Sequence, residues 1–258
     1  MGIHVSLNQH SERIAVVTLN RPEAANALSL QLLEELNAVL DQLGTDPLLS
    51  CLVITGSGEK AFCAGADLKE RRGMTDEQVI ETVRLIGATA SKIAGLKMPT
   101  IAAVNGAAFG GGLEFALACD LRVMAKHAKV GLTETSLAII PGAGGTQRLT
   151  RLVGLGKAKQ LIFTAKAVDA REALEIGLAE SVGDSAIETA VQMAEKIAQN
   201  GPLALRLAKQ AIDEGFDLEL EQGLHIEHMF YQKTLHTEDR IEGLNAFKEK
   251  RKPAYKGK

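Results

Sequence analysis

Pro99-Thr100-Ile101-Ala102-Ala103-Val104 runs into Ala108-Phe109-Gly110-Gly111-Gly112-Leu113-Glu114, and Leu121-Arg122-Val123-Met124-Ala125 follows. A short apolar stretch, a glycine turn that opens a helix, and a second short apolar stretch read as strand, helix, strand. Such a unit suggests parallel pairing in an α/β core. The pattern extends towards the N-terminus. Arg13 to Leu19 is apolar and β-branched until Asn20-Arg21-Pro22 breaks it, and Ser50 to Thr55 reads as a buried strand ended by Gly56. Between them Ser29 is placed to cap a helix through Leu43, with Leu32, Leu33, Leu36, Val39, Leu40 and Leu43 on one face. A further helix is expected over Asp76 to Ala94. From about Lys157 onward helical patterns dominate, broken at Gly177, Gly201 and Gly215, with only Leu178 to Val182 strand-like. The expected division is a core over residues 1–195 and a helical C-terminal region over 196–258, packed on the core or on another subunit.

Composition narrows the function. A net charge of −3 over 258 residues, no Trp and few aromatics argue against a nucleic-acid binder. Cys51, Cys63 and Cys119 are widely spaced and form no CxxC, so each is expected as a small buried apolar residue in a reducing compartment. The start, Met1-Gly2-Ile3-His4-Val5, lacks a signal-peptide core, and no apolar run approaches the roughly eighteen residues of a membrane span; a cytoplasmic protein is expected. The histidines form no HExxH, no GxSxG elbow is present, and neither Gly142-Ala143-Gly144-Gly145-Thr146 nor Gly154-Leu155-Gly156-Lys157 completes a nucleotide-binding pattern.

Chemistry is suggested by two glutamates, each beside a glycine-rich turn. Glu114 ends the first run, and Glu134 precedes Ile139-Ile140-Pro141-Gly142-Ala143-Gly144-Gly145. Glycines let a backbone approach a ligand and present bare N–H groups, and the first amides of a helix lack intrahelical partners. An amide cradle for an oxyanion beside two carboxylates could stabilise an enolate while protons move. A third segment, Ala61-Phe62-Cys63-Ala64-Gly65-Ala66-Asp67-Leu68, adds small residues after a strand, with Asp67 placed to cap the next helix.

Together the three segments resemble the crotonase (enoyl-CoA hydratase/isomerase) family, and the resemblance covers essentially the whole chain, including Asn20-Arg21-Pro22 and the basic C-terminal segment. It implies an α/β crotonase-like fold of repeated ββα units with a helical C-terminal trimerisation region. It implies an acyl-CoA substrate, with coenzyme A part of the substrate and no separate cofactor or metal, and a homotrimer or homohexamer. By the same resemblance the amides of Ala66 and Gly111 form the oxyanion hole, Glu114 is the water-activating base and Glu134 its protonated partner. Gly142 places a backbone group near the water. Ala64, Asp67, Leu68, Lys69 and Gly110 join the CoA-binding set, and Phe247 and Lys250 serve a neighbouring subunit's CoA site. Both carboxylates match the hydratase branch rather than the isomerases, which need one base. The likeness is greatest to methylglutaconyl-CoA hydratases and short-chain enoyl-CoA hydratases, carried by residues 62–71, 137–142 and 246–251. Some methylglutaconyl-CoA hydratases also bind RNA through a lysine-rich first helix. Here Gln31 to Asp46 carries Glu34, Glu35, Asp41 and Asp46 and no lysine, so RNA binding is not carried over. Arg71 and Arg72 are read either as solvated charges or as partners for a distal substrate carboxylate.

Overall fold

The computed structural model describes residues 2–7 and 13–258. In chain order its elements are β1 (Ile3–Leu7), β2 (Ile14–Leu19), α1 (Leu30–Gly44), β3 (Cys51–Gly56), β4 (Ala61–Cys63), α2 (Leu68–Arg71) and α3 (Asp76–Ala94). Then come β5 (Thr100–Val104), β6 (Ala107–Phe109), α4 (Gly111–Ala118), β7 (Leu121–Ala125), β8 (Lys129–Gly131), α5 (Gly145–Val153) and α6 (Leu155–Phe163). The chain closes with β9 (Val168–Asp169), α7 (Ala170–Glu175), β10 (Ser181–Gly183), α8 (Ala186–Ala198), α9 (Pro202–Gly215), α10 (Leu220–Gln232) and α11 (Glu238–Glu249).

The strands sort into two sheets, ordered β1-β2-β3-β5-β7-β10 and β4-β6-β8-β9. β3, β5 and β7 lie parallel in the large sheet, and the strand after each, β4, β6 or β8, lies parallel in the small one. Each pair then leads into helix, as the antiparallel pair β1-β2 leads into α1, so the expected ββα order repeats along the described chain. The central large-sheet strands are apolar almost throughout because both faces are covered, and β3 and β5 are buried at every residue. α1 begins where Ser29 Oγ accepts from the Leu32 amide, and it buries Leu32, Leu33, Leu36, Leu40 and Leu43. At about 1.5–3 kcal/mol for each fully buried leucine, this stripe is ample reason for the helix to dock. The helix expected over 76–94 has those bounds and starts at a Thr75–Gln78 capping box.

The register of the small sheet positions the site. Cys63 pairs with Ala108 and Phe109 with Gly131, so β4, β6 and β8 end side by side. Whatever follows them emerges at one edge, the usual ligand position of a parallel sheet. β4 and α4 touch backbone to backbone: a Cβ at Gly112 would run into the Cys63 carbonyl.

The C-terminal helices are tied to this core through α9. Lys209 Nζ meets Asp120 Oδ2 at 2.8 Å, and Asp120 also accepts from the Thr100 amide and hydroxyl. The Arg206 guanidinium donates to the carbonyls of Asp46 and Leu49. α8 packs on β3, β5 and β7 and runs through residues 195–196, ending at Ala198 before the turn to Gly201. All three cysteines are buried and unpaired, as expected. No helix among the described residues is long and apolar enough to cross a membrane.

Gly112→Ala should destabilise the fold by about 3 kcal/mol or more, because the contact it overfills is a backbone carbonyl that cannot rotate away. Urea unfolding measures this directly; a loss below about 1 kcal/mol would mean that β4 and α4 are free to separate.

Candidate active site

Three loops leave the small sheet at its carboxyl edge. The β4 loop carries Ala64 to Asp67, the β6 turn carries Gly110 and Gly111, and the loop after β8 carries Glu134 in a short 3₁₀ turn over Glu134–Leu137. A bond from the Gly110 amide to the Gly131 carbonyl (3.0 Å) clamps the second loop to the third.

The β4 loop is held against the segment before α1. Leu28 N–H donates to the Gly65 carbonyl (2.8 Å), and Asp67 N–H donates to the Leu28 carbonyl (3.1 Å). In extended chain successive amides alternate sides, so the Ala66 N–H points away from Leu28. On that side lies Gly111: a Cβ built at Gly65 would stand 3.4 Å from the Gly111 nitrogen. Gly65 has φ +93°, a left-handed conformation that suits a residue without a Cβ. Gly111 opens α4, so its amide has no intrahelical acceptor. Among the described residues neither the Ala66 nor the Gly111 amide has a hydrogen-bond acceptor. Two neighbouring free N–H groups are what an oxyanion hole requires.

The glutamates differ in their surroundings. Glu114, only 3 % exposed on the first turn of α4, accepts through Oε1 from the amides of Ala143 (2.7 Å) and Gly145 (2.8 Å). Burial pushes its carboxyl above the ordinary value, while those two amides and the nearby Arg148 pull it back. Arg148 also donates to the Ala143 carbonyl (2.9 Å) and so holds the loop that holds Glu114. Glu134 has no comparable support. Burial, with Glu114 adding like charge, raises its carboxyl to about 7, and its Oε2 is buried without a partner among the described residues. Its Oε1 lies 3.2 Å from the position a Cβ on Gly110 would take. One carboxylate is thus braced by amides, and its neighbour retains its proton near neutrality.

The other expected site residues are more dispersed. Gly142 sits against Val83, but the amides that reach Glu114 are those of Ala143 and Gly145, which the sequence reading did not single out. Their signal was present in the Gly144-Gly145 pair opening α5. Asp67 caps α2 through Oδ1, which accepts from the Lys69 and Glu70 amides, and pairs with Arg21 through Oδ2. Ala64, Leu68 and Lys69 are exposed along this loop and α2. Arg71 is half-buried beside Ala66, lining a cavity of about 10 Å³ with Met74, Val83 and Ile86, whereas Arg72 is exposed. That volume is at the threshold for one water molecule. Phe247, 87 % exposed, and Lys250 lie at the end of α11, and no hydrogen bond or ion pair among the described residues links them to the glutamates. No group of three His, Cys, Asp or Glu side chains among the described residues could hold a metal ion.

The enoyl-CoA hydratase/isomerase family profile matches residues 9–258. The chain belongs to this family. A crystal structure of an enoyl-CoA hydratase from Bacillus anthracis superposes with a TM-score of 0.98 at 52 % identity, covering 100 % of both chains. The human mitochondrial methylglutaconyl-CoA hydratase is 47 % identical over 257 residues, spanning 97 % of this chain and 76 % of the human protein. A short-chain-enoyl-CoA hydratase of Clostridium acetobutylicum is 43 % identical over 242 residues, 93 % of each chain. The α/β crotonase-like fold expected from the sequence is therefore the fold of the family.

The raised carboxyl of Glu134 has a consequence for stability. It binds its proton more tightly folded than unfolded, so its contribution is complete below the unfolded value of 4.5 and is lost as pH rises towards 7. Relative to Glu134→Gln, which cannot titrate, the wild-type unfolding free energy should fall across that window. Denaturant titrations at several pH values give the difference, and a flat difference would mean that the Glu134 carboxyl titrates alike in the folded and unfolded chain.

Proposed function

We propose that this family member is an enoyl-CoA hydratase that adds water across the 2,3 double bond of a short enoyl-CoA thioester to give a 3-hydroxyacyl-CoA. The observation that carries the reading is the unequal pair of carboxylates beside two free amides. With the thioester oxygen between the Ala66 and Gly111 N–H groups, electron density is drawn away from the β-carbon. Glu114 takes a proton from water as the water oxygen bonds to that carbon. The π-electron pair moves onto the thioester oxygen, where the amides hold the resulting enolate. As the enolate collapses, Glu134 delivers its proton to the α-carbon, and proton exchange between the glutamates through the added water's site resets the pair. Loss of one donor of such a hole costs about 2.7–4 kcal/mol in the transition state. The Gly142 loop lies beside the water, and the reaction needs no metal or cofactor beyond the coenzyme A of the substrate.

The CoA portion is assigned to Lys69 with Ala64, Asp67, Leu68 and Gly110, completed by Phe247 and Lys250 of a neighbouring subunit. Assembly as a trimer or hexamer is supported by the apolar groove of about 840 Å³ between α9, α10 and α11, lined by Ile212, Phe216, Leu220, Leu224, Tyr231 and Leu244. Sedimentation should give a multiple of three chains; a monomer at micromolar concentration would remove the shared CoA site. A cytoplasmic location fits the same reading.

Hydration is tested by loss of the conjugated thioester absorbance of crotonyl-CoA and 3-methylglutaconyl-CoA, measured side by side. Preference for the second would assign a distal carboxylate to Arg71. Turnover of a 3-enoyl-CoA with no hydration would replace this reading with an isomerase. Glu114→Gln and Glu134→Gln should each lower kcat by ~10²-fold or more while leaving CoA affinity intact. Near-native turnover in both would rule out a two-carboxylate mechanism.

A further inference from the structure

We propose that Arg21 is a positioning residue that aims the Ala66 N–H at the thioester oxygen. The inference rests on the reading of Ala66 as an oxyanion donor and adds to it what holds that donor in place. Ala66 has no side-chain anchor. The direction of its amide depends on the peptide planes on either side, and these are fixed by a single β-bridge, Leu28 with Ala66, outside any sheet. Two hydrogen bonds make that bridge, and beyond it the chain turns at once into the four-residue helix α2, whose Leu68, Lys69 and Glu70 are exposed.

Arg21 closes the open end of the bridge. Its Nη1 donates to the Ala27 carbonyl (2.7 Å) on one side, and its Nη2 meets Asp67 Oδ2 (3.0 Å) on the other. One planar guanidinium thereby spans both segments on the residues next to the bridging pair. The ion pair is largely withdrawn from water, with the Arg21 side chain 25 % and the Asp67 side chain 11 % exposed. The other Asp67 oxygen caps α2, so the carboxylate is fixed from both directions.

Arg21 is itself anchored to the sheet. The fully buried Asn26, with a left-handed φ of 55°, accepts from the Arg21 amide through Oδ1 (2.9 Å). Its Nδ2 donates to the carbonyls of Ala61 (2.8 Å) and Ser57 (3.1 Å). The Ala64 amide in turn donates to the Ala25 carbonyl (3.0 Å). The turn around Arg21 is therefore bolted to the start of β4 through Asn26 and to its end through Ala25, and Arg21 reaches from that frame to the residue after Ala66. A second tie, Leu30 N–H to Glu70 Oε2, holds only the exposed side of α2. The Asn20-Arg21-Pro22 break between β2 and α1 is thus assigned the alignment of one half of the hole. Such alignment matters because misplacement by about 1 Å can cost on the order of 10²-fold in rate.

A lysine would supply the charge but not the planar fork that satisfies a carbonyl and a carboxylate together. The test uses the full-length protein in its native assembly and a chromophoric substrate analogue, 4-(dimethylamino)cinnamoyl-CoA. Its absorption moves to the red when hydrogen bonds pull electron density onto the thioester oxygen. The position of the bound band at saturating protein is a property of each occupied site, so a smaller folded fraction changes its amplitude and not its wavelength. Wild type should show a red shift. Arg21→Gln, Arg21→Lys and Asp67→Asn, the last of which retains a capping oxygen for α2, should each reduce the shift and lower kcat by about tenfold, and in the two Arg21 variants affinity for free CoA should stay within about twofold of wild type. Arg21→Gln combined with Asp67→Asn should be no worse than either alone. A full red shift in the Arg21 variants would overturn the proposal, whatever happened to kcat, and leave the hydratase reading intact. No red shift in wild type would remove the hole itself and the proposal with it.

Discussion

Two backbone amides converging on Glu114 are the constraint on which the rest of this site depends. A carboxylate that is 3 % exposed cannot remain ionised without compensation, because burial penalises the charged form. Here the amides of Ala143 and Gly145 supply the compensation, at the start of α5 where N–H groups have no helical partners. Arg148, one turn along the same helix, holds the Ala143 carbonyl and adds a positive charge to the surroundings of Glu114. The α5 terminus is therefore part of the carboxylate's solvation. Its position is in turn set by the packing of α4 against α5. Glu134 sits one loop away with only its own amide as a backbone donor and its Oε2 buried without a partner among the described residues, so the same burial drives it to hold a proton. Burial raises both carboxyls, and the amides and Arg148 beside Glu114 offset that rise where Glu134, facing the like charge of Glu114, goes to about 7.

Much of this was legible in the sequence, and the residues show why. Strands such as β3 (Cys51–Gly56) and β5 (Thr100–Val104) are buried on both faces and so appear as nearly uninterrupted apolar runs. The helix over 76–94 carries its capping signal at Thr75. The glycine runs marked the places where backbone must approach a ligand or another backbone. The small sheet was not legible. β4, β6, β8 and β9 are two or three residues long, too short for any alternation to register. Yet it is the register of that sheet that brings Ala66, Gly111 and Glu134 to one edge.

The amides were harder to read than the side chains, for a physical reason. A carboxylate is written in the sequence, whereas a free N–H depends on which neighbour its peptide plane faces. Gly142 attracted notice as a glycine, but Ala143 and Gly145 are the donors to Glu114 because the turn through Gly144 (φ +101°) points their N–H groups the same way. Likewise Asp67 was legible as a helix cap. Its second partner, Arg21, lies 46 residues away in sequence and becomes a neighbour only when the segment before α1 folds over β4.

The chain also divides its labour along its length. Every group that the proposed reaction uses lies between Ala64 and Gly145, and all of them are carried by loops and helix starts around the small sheet. The residues after α8 contribute nothing to that geometry within one chain; α9 is fastened to the core by Lys209 and Arg206, while α10 and α11 leave apolar side chains facing outward. An aromatic ring as exposed as Phe247, beside lysines and beyond an apolar groove, gives up hydrophobic stabilisation that a monomer does not recover. In the proposed reading the bond-making half of the site is complete in one chain, and the half that would hold the long, charged remainder of a CoA thioester is completed by a neighbouring one. A site divided in this way ties full substrate affinity to assembly while leaving the chemistry to residues that a single fold can align.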